Sequence, residues 1–589
     1  MEKSTPISNY MHLLPHCAFD GGELKYKSEN RILPLSNFLP VPLEEIVYDD
    51  GRTQERYFKI TAYKLQNENI IKLPETLVRA VALPSMNWVA ESWGFEANIE
   101  PPIQTKKDYL RSIIFTLGAQ TAIRRTVFTH TGWRKVNGRW CFLYHGGAIG
   151  SKNVSVELEN KLRAYNMASE NITTDETVQA VLKLFSVSRE QIMYPLMAIT
   201  FLSPLNEYLR QCGYEPSFLI YLLGRTQTKK STIAALMLSF FGRFTSTTLP
   251  ASFKDTENAI EKKGHALKDV LIVIDDFHPV THYRDRQNME KIAQSLARGY
   301  GDRTGKDRMQ ADTTIRQGYA PRGNAIITGE DFPAIGQSGS ARNFIIELTP
   351  EDIKVSNELN SVQAAASRGV LANFMVGYIK WLIPQADDLP AKLKDKFLRF
   401  RQKAIEEKVS GFGRTGDIVS WLQIGMESLI DYLVYLEVDF SKSAEKQKDK
   451  AWHIFCGLSD TQIEKSEEDK PTNMFIDALK ELLESGKLFV KKHPEKTLSG
   501  TECKGEMVGY LDIDVYYFLP ANVYNAVFQF YKQQGEVFPL TKTRLFKQMA
   551  YENLIETEVT GGIKNYTRQK RFGKEKSRYL VIHRDALYG

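Results

Sequence analysis

The sequence predicts a multidomain α/β protein with a parallel-sheet nucleotide-binding core at its centre. Three observations predict it. A run of strand formers, Phe218–Leu223, ends at Gly224, and Lys230, Ser231, Thr232 and an apolar helix follow at once. A second run, Val270–Ile274, leads straight into Asp275-Asp276. Between residues 217 and 348, five short strand-like segments alternate with helical ones, the order of a parallel α/β sheet.

Taken in order, residues 1–165 read as a mixed N-terminal α+β domain. Tyr57–Tyr63 alternates apolar and polar like a half-buried strand. Gly132–Trp140 reads as two strands about an Asn-Gly turn. Residues 166–212 form a helical connector, with Thr173 or Thr174 as N-cap of a helix running to Phe185. The core, 213–350, is expected to hold strand 217–223, the loop, helix 231–241, strand 245–249, helix 255–267, strand 270–274, helix 287–299 and strands 324–328 and 343–348. Residues 351–470 read as helical. A charged stretch before Pro471 marks the next boundary. Residues 471–589 then give helices at 472–486, 521–534 and 541–552, a hairpin region to 519, and a basic strand pair at 556–584. That is the shape of a winged-helix DNA-binding domain.

Composition narrows the classes. The chain has 589 residues and 42% apolar content, enough for several packed cores. Its net charge of +6 matches that of residues 561–589 alone, so the excess cations sit at the C-terminal end. Five scattered cysteines make no C-x-x-C pair, which argues against a zinc site and for reduced thiols in the cytoplasm. No apolar run reaches the length of a membrane span, and the first residues lack a signal-peptide core.

The chemistry concentrates in the central domain. Gly224, Thr226, Gln227, Thr228, Lys229, Lys230, Ser231 and Thr232 are the candidate phosphate loop, read as G-x-x-x-x-K-K-S with Lys229 where a second Gly is usual. A strand-turn-helix with a basic surface turn is the plain alternative. Lys230 would reach the β- and γ-phosphates of ATP, and Ser231 with Asp275 would hold Mg²⁺. Asp276 would orient the attacking water, one methylene shorter than the Glu often found there. Thr328 and Glu330, just past the neighbouring strand, would sense the γ-phosphate. Arg342 is the candidate arginine acting across a subunit boundary, with an ion pair inside the chain as its alternative. The segment 299–323 is too long and basic for a plain connection. Its Arg303, Lys306, Arg308, Arg316 and Arg322 would track phosphates, with Tyr319 stacking on a base, unless it is a solvated loop. Arg568, Lys570, Arg571 and Lys574 of the terminal strand pair would lie along a DNA backbone, or else form a solubilising edge.

With these residues in hand, the chain resembles the helicases encoded by staphylococcal cassette chromosome elements (Cch type) and related mobile-element ATPases, an MCM-like AAA+ group. The motifs that carry the resemblance are FTHTGWRKVNGRW at 128–140, GRTQTKKST, LPASFKDTENAIE, VLIVIDDFHP, AIITGEDFP and SARNFIIEL, in that order. The group accepts Arg or Lys before the catalytic Lys, and Asp-Asp in the metal strand. The resemblance implies an ATP- and Mg²⁺-dependent helicase acting as a homohexameric ring on single- and double-stranded DNA. It also implies 3′ to 5′ polarity, a role in mobile-element replication and contact with other replication proteins. The residues leave a second expectation open: a DNA-binding initiator or regulator that uses ATP as a switch.

Overall fold

The computed structural model describes residues 6–28, 31–101, 103–168, 172–278, 282–309, 315–316, 318–333, 335–409, 414–438, 443–468, 470–493, 505–534, 538–560, 563–572 and 575–588. They fall into two compact units. One comprises Met1–Pro333, Arg342–Lys408 and Gly416–Cys456; the other comprises Ala334–Ala341, Val409–Thr415 and Gly457–Gly589.

The first unit opens on an N-terminal sheet. Strands β1 (Leu39–Asp49) and β2 (Gln54–Gln66) pair antiparallel from Leu39↔Tyr63 to Asp49↔Gln54. The turn between them is fixed by the Asp50 carboxylate, which accepts the N–H groups of Arg52 and Thr53 at 2.7 and 2.6 Å. Helix α1 (Gln104–Thr121) buries Leu110, Ile113, Ile114 and Leu117, an i, i+3, i+4, i+7 stripe, in the core formed with Phe38, Val41 and Ile60. Strand β3 (Ile123–Phe128) joins β1 in parallel. The expected hairpin follows as β4 (Gly132–Val136) and β5 (Arg139–Tyr144). Its turn has Asn137 at φ 51° and Gly138 at φ 78°, the left-handed pair that lets two residues reverse a twisted ribbon.

The helical connector contains α2 (Thr174–Phe185), capped by the Thr173 hydroxyl accepting the Glu176 N–H at 3.3 Å, and α3 (Glu190–Leu202), buried almost all round. The central sheet then begins with β6 (Leu219–Leu223). Helix α4 (Lys230–Leu238) follows the loop, then β7 (Ala251–Ser252), α5 (Glu257–Ala266), β8 (Leu271–Phe277) and α6 (Tyr283–Asp302). A small antiparallel ribbon, β9 (Arg308–Met309) with β10 (Ile315–Arg316), precedes β11 (Asn324–Gly329) and β12 (Asn343–Glu347). The sheet order is β7-β8-β11-β6-β12, parallel throughout.

One expectation is corrected here. Residues 245–249 form a turn, and the edge strand lies later, at Ala251–Ser252. The hydroxyls of Thr245, Thr247 and Thr248 bond within the segment, Thr248 accepting the Thr245 N–H at 2.9 Å. Such local bonds compete with a ladder, and Pro250 adds a restriction of its own. Helices over Asn357–Ser367, Val370–Leu382, Leu389–Glu406 and Arg414–Tyr435 follow, and the unit ends within a helix over Ala444–Glu468. Phe374 and Tyr378 stack edge-on against Phe201 of α3 at 5.8 and 5.1 Å.

The second unit packs helices α7 (Pro471–Glu484), α8 (Pro520–Gln533) and α9 (Lys542–Tyr551) with a five-stranded sheet. Its strands are β13 (Leu488–His493), β14 (Glu506–Asp512), β15 (Val515–Phe518), β16 (Arg568–Phe572) and β17 (Glu575–His583), ordered β13-β14-β15-β17-β16. Phe475, Leu479, Phe518, Leu545, Met549 and Leu580 share its core. β16 and β17 pair antiparallel within the region read as basic strands. β13 runs parallel to β14, so only β14 and β15 make a hairpin there.

Candidate active site

The loop after β6 is built by close backbone approach. A Cβ on Gly224 would stand 2.6 Å from the Leu348 carbonyl and 2.9 Å from Thr228 Oγ1. Gln227 and Lys229 take left-handed backbone, φ 72° and 58°, so the chain adopts here the geometry for which glycine is the default. The Lys229 side chain is anchored by donating to the Ile353 carbonyl at 2.7 Å. Arg225, Thr226 and Gln227 are exposed at the crest, while Thr228 is buried and donates to the Arg225 carbonyl at 2.8 Å. Lys230 opens α4 and is itself buried. Its ammonium donates to the carbonyls of Gly224 and Arg225 and to Thr228 Oγ1. Burial lowers its pKa, and the carboxylates of Glu330, Asp275 and Asp276 oppose that shift. Lys230 thus belongs to the first turn of α4, whose leading N–H groups have no partner within the helix, an arrangement suited to a phosphate.

Ser231 and Thr328 meet on a single carboxylate. Ser231 Oγ donates to Asp275 Oδ1 at 2.7 Å, and Thr328 Oγ1 donates to the same oxygen at 2.6 Å. Thr328 also accepts the Asp276 N–H at 3.1 Å. The reason is a β-bulge. Asp275 and Asp276 together oppose Thr328 alone, with Ile274↔Ile327 and Phe277↔Gly329 on either side. Asp276 sits in the bulge at φ 74° and remains half exposed. Ser231 Oγ and Asp275 Oδ1 are hard oxygen donors, the set Mg²⁺ takes when phosphate and water supply the remaining positions.

Two groups on Asp276 were not singled out from sequence. Lys254, on the turn after β7, reaches Asp276 Oδ2 at 3.4 Å, and His278 Nδ1 lies 3.3 Å from Oδ1. His278 is adjacent in sequence and could have been noticed. Lys254 could not, because only the pairing of β7 with β8 brings it there. Glu330 accepts from Thr226 Oγ1 at 2.6 Å, which ties the loop crest to the end of β11. Thr232 follows Ser231 on α4 and is part-buried.

Arg342 stands apart from this cluster. Its guanidinium makes a two-pronged pair with Asp302 at the end of α6, Nη2 lying 2.9 and 3.0 Å from the two oxygens, and only 11% of its side chain is exposed. Gly301 makes room for it, since a Cβ there would meet Arg342 Cδ at 2.2 Å. The intrachain alternative describes this arrangement, and a reach across a subunit boundary requires that pair to open.

The basic segment 299–323 divides in two. Arg303 and Arg322 do not track phosphates here, and that expectation is corrected. Arg303 donates to the Pro216 and Gly323 carbonyls and to Asn324 Oδ1, with 10% of its side chain exposed. Arg322 donates to the His265 carbonyl at 2.6 Å and to the Asp50 carbonyl at 2.7 Å, joining the central domain to the β1–β2 turn. A planar fork of donors suits both structural roles. Lys306 is exposed, 3.8 Å from Glu257. Arg308 and Arg316 face each other across the β9–β10 ribbon, their side chains outside the described residues. In the second unit, Arg568 pairs with Glu556, and Lys570 with Asp512 at 2.6 Å while standing 3.9 Å over the Tyr517 ring. Arg571 is exposed, and Lys574 lies outside the described residues.

With this geometry in view, comparison with known proteins is informative at the level of fold. A solved structure described as "SCCmec type IV Cch - active helicase" matches over 97% of this chain and 98% of that one, at 14% identity and a TM-score of 0.58. The chain has the fold of that helicase. The apo C-terminal region of NrS-1 (305–718) matches over 91% and 95% of the two chains at 11% identity, with a TM-score of 0.33. A JCV helicase structure matches over 43% and 73% at 15% identity, with a TM-score of 0.20. A family described as a domain of unknown function (DUF927) matches residues 97–317. No curated protein matches. Among the described residues, no helix is long and apolar enough to cross a membrane.

Proposed function

We propose that this chain is an ATP-dependent DNA helicase of the MCM-like AAA+ type, working as a cytoplasmic homohexameric ring that unwinds DNA 3′ to 5′ in the replication of a mobile genetic element. The observation that carries the reading is the Asp275 carboxylate held between the hydroxyls of Ser231 and Thr328, at the open end of a parallel sheet beside a buried lysine. The fold shared with the Cch helicase supports the class of activity.

In this reading Lys230 exchanges the three oxygens of its own loop for the β- and γ-phosphate oxygens of ATP, a stronger charge-assisted set. Ser231 and Asp275 would hold Mg²⁺, which when bound neutralises charge on the phosphates. Thr328 fixes the orientation of Asp275 and of the Asp276 amide. Asp276 holds the attacking water and accepts its proton once its carboxylate is released by Lys254 and His278. Glu330 reports loop position through Thr226. Arg342, freed from Asp302, would neutralise the γ-phosphate of a neighbouring subunit's ATP. The terminal unit supplies a winged-helix DNA contact through Arg571 and its neighbours, and other replication proteins would dock on the assembled ring.

The restrained Asp276 favours one alternative: an ATP-switched, DNA-binding initiator that turns over slowly. Single-stranded-DNA-stimulated ATP hydrolysis, measured with unwinding of 3′- and 5′-tailed duplexes, separates the two. Lys230→Ala and Asp276→Asn should each lower turnover at least a hundredfold, within the range set by loss of one transition-state contact of about 3 kcal/mol. Unaltered hydrolysis in Lys230→Ala would overturn the site assignment. Stimulated hydrolysis without strand separation would favour the initiator.

A further inference from the structure

Apart from the phosphate loop, the first unit has a cleft of about 380 Å³ between α5, α6 and the feet of the β9–β10 ribbon. That volume lies within the range of small-ligand sites, roughly 300–1,000 Å³. Ile260, Leu296 and Pro321 supply an apolar lining. Tyr300 also lines it, only 2% exposed, and its hydroxyl has no hydrogen-bond partner. A buried hydroxyl without a partner is costly, and a ligand that pairs with it recovers that cost. The ring is held in place by Arg303, 5.7 Å from its centroid, and Gly264 leaves space for the hydroxyl, since a Cβ there would stand 2.8 Å from it. Lys291, Arg298 and Lys306 are exposed around the cleft. Glu257 is held by Ser295 at 2.8 Å and by Lys291 and Lys306 at 3.6 and 3.8 Å, and Glu261 is a second carboxylate on the lining, so the cleft keeps a small cationic excess. Tyr319 contributes a partly exposed aromatic ring from one ribbon foot.

We propose that this cleft seats one nucleobase together with its adjoining phosphate. The apolar lining and an aromatic ring suit a base face, the Tyr300 hydroxyl can pair with a base edge, and Arg298, with Lys291 and Lys306 released from Glu257, suits the phosphate. The feet of the ribbon are locked where they form the wall: a Cβ on Gly305 would lie 2.4 Å from the Gly318 carbonyl carbon, and one on Gly318 2.3 Å from the Lys306 nitrogen. An occupied cleft therefore bears directly on the root of the ribbon. The site rests on the DNA-binding part of the proposed function and is independent of ATP turnover.

The test uses the full-length protein and fluorescence anisotropy, with a thymidine 20-mer, an abasic strand of equal length, and thymidine monophosphate as a free competitor. Tyr319→Leu should weaken binding of the thymidine strand about tenfold, as expected for loss of one base–aromatic stack, and that of the abasic strand less than twofold. Tyr300→Phe keeps the ring and removes only the unpartnered hydroxyl. It should weaken thymidine binding about threefold with the same selectivity, one hydrogen bond's worth. Displacement by the monophosphate that disappears in Tyr319→Leu would assign the cleft to a free nucleotide; no displacement would assign it to a strand. Equal losses on both strands, or no loss on either, would overturn the proposal. If the wild type binds neither strand nor the monophosphate, the DNA-binding reading fails together with this one, whereas a protein that binds DNA but hydrolyses no ATP leaves this assignment standing.

Discussion

Gln227 and Lys229 show how one residue's backbone decides whether the loop can form. Both take left-handed φ without being glycine, at roughly 1–2 kcal/mol each. Lys229 has an anchor that offsets part of the cost, its bond to the Ile353 carbonyl. Gln227 is exposed at the crest. Gln227→Gly should leave stability nearly unchanged, because relief of strain is countered by about 0.5–1 kcal/mol of added backbone entropy in the unfolded chain. Gln227→Val, branched at Cβ, should lower unfolding free energy by about 1–2 kcal/mol and weaken ATP binding. Denaturant titration and nucleotide fluorescence check both, and a neutral Gln227→Val would show that the loop does not need this conformation. The missing glycines were legible in the sequence; that the chain takes the glycine conformation without them was not, because the anchor on Ile353 is 124 residues away.

At the scale of elements, the ribbon feet are fastened to α5. His265 Nδ1 meets the Ala320 carbonyl at 2.8 Å, and Arg322 donates to the His265 carbonyl. Burial, then the charge of Arg322, brings the His265 pKa from 6.5 down to about 4. The folded state thus binds fewer protons here than the unfolded chain between those values. The stability tied to neutral His265 is complete above pH 6.5 and lost as pH falls towards 4. At pH 4.5 it amounts to about 2–3 kcal/mol. His130, buried nearby, shifts in the same direction, and Asp269, raised to about 6 by burial, in the opposite one. Comparison with His265→Gln isolates the single group: between pH 7 and 4.5 the wild type should lose about 2–3 kcal/mol more unfolding free energy than the variant, and parallel losses would contradict the assignment. The β8 bulge is another element-scale feature. The run into Asp275-Asp276 marks a strand end, but the two-for-one pairing with Thr328 depends on β11, which lies about 50 residues on in sequence.

For the whole molecule, the residues after 470 pack a hydrophobic core of their own, from Phe475 to Leu587. A chain ending at residue 470 should keep basal ATP hydrolysis within twofold while binding DNA at least tenfold more weakly and with a shallower salt dependence, since fewer phosphates are neutralised. Unchanged affinity and salt slope would show that the terminal unit does not contact DNA. The sequence by itself determined the α/β class, the hairpin at Asn137-Gly138 and the alternation of strands and helices through most of the core. These depend on periodicity, turn chemistry and neighbours a few positions away, all local properties. Only the tertiary structure decided the partners of the charged residues. Arg303 and Arg322 became buried ties, Arg342 closed on Asp302, Lys254 came to rest on Asp276, and one aspartate gathered two hydroxyls from different elements. The reason is physical: a cation in a sequence carries its charge but not its surroundings, and burial together with distant carbonyls and carboxylates selects which charges remain free to meet a ligand.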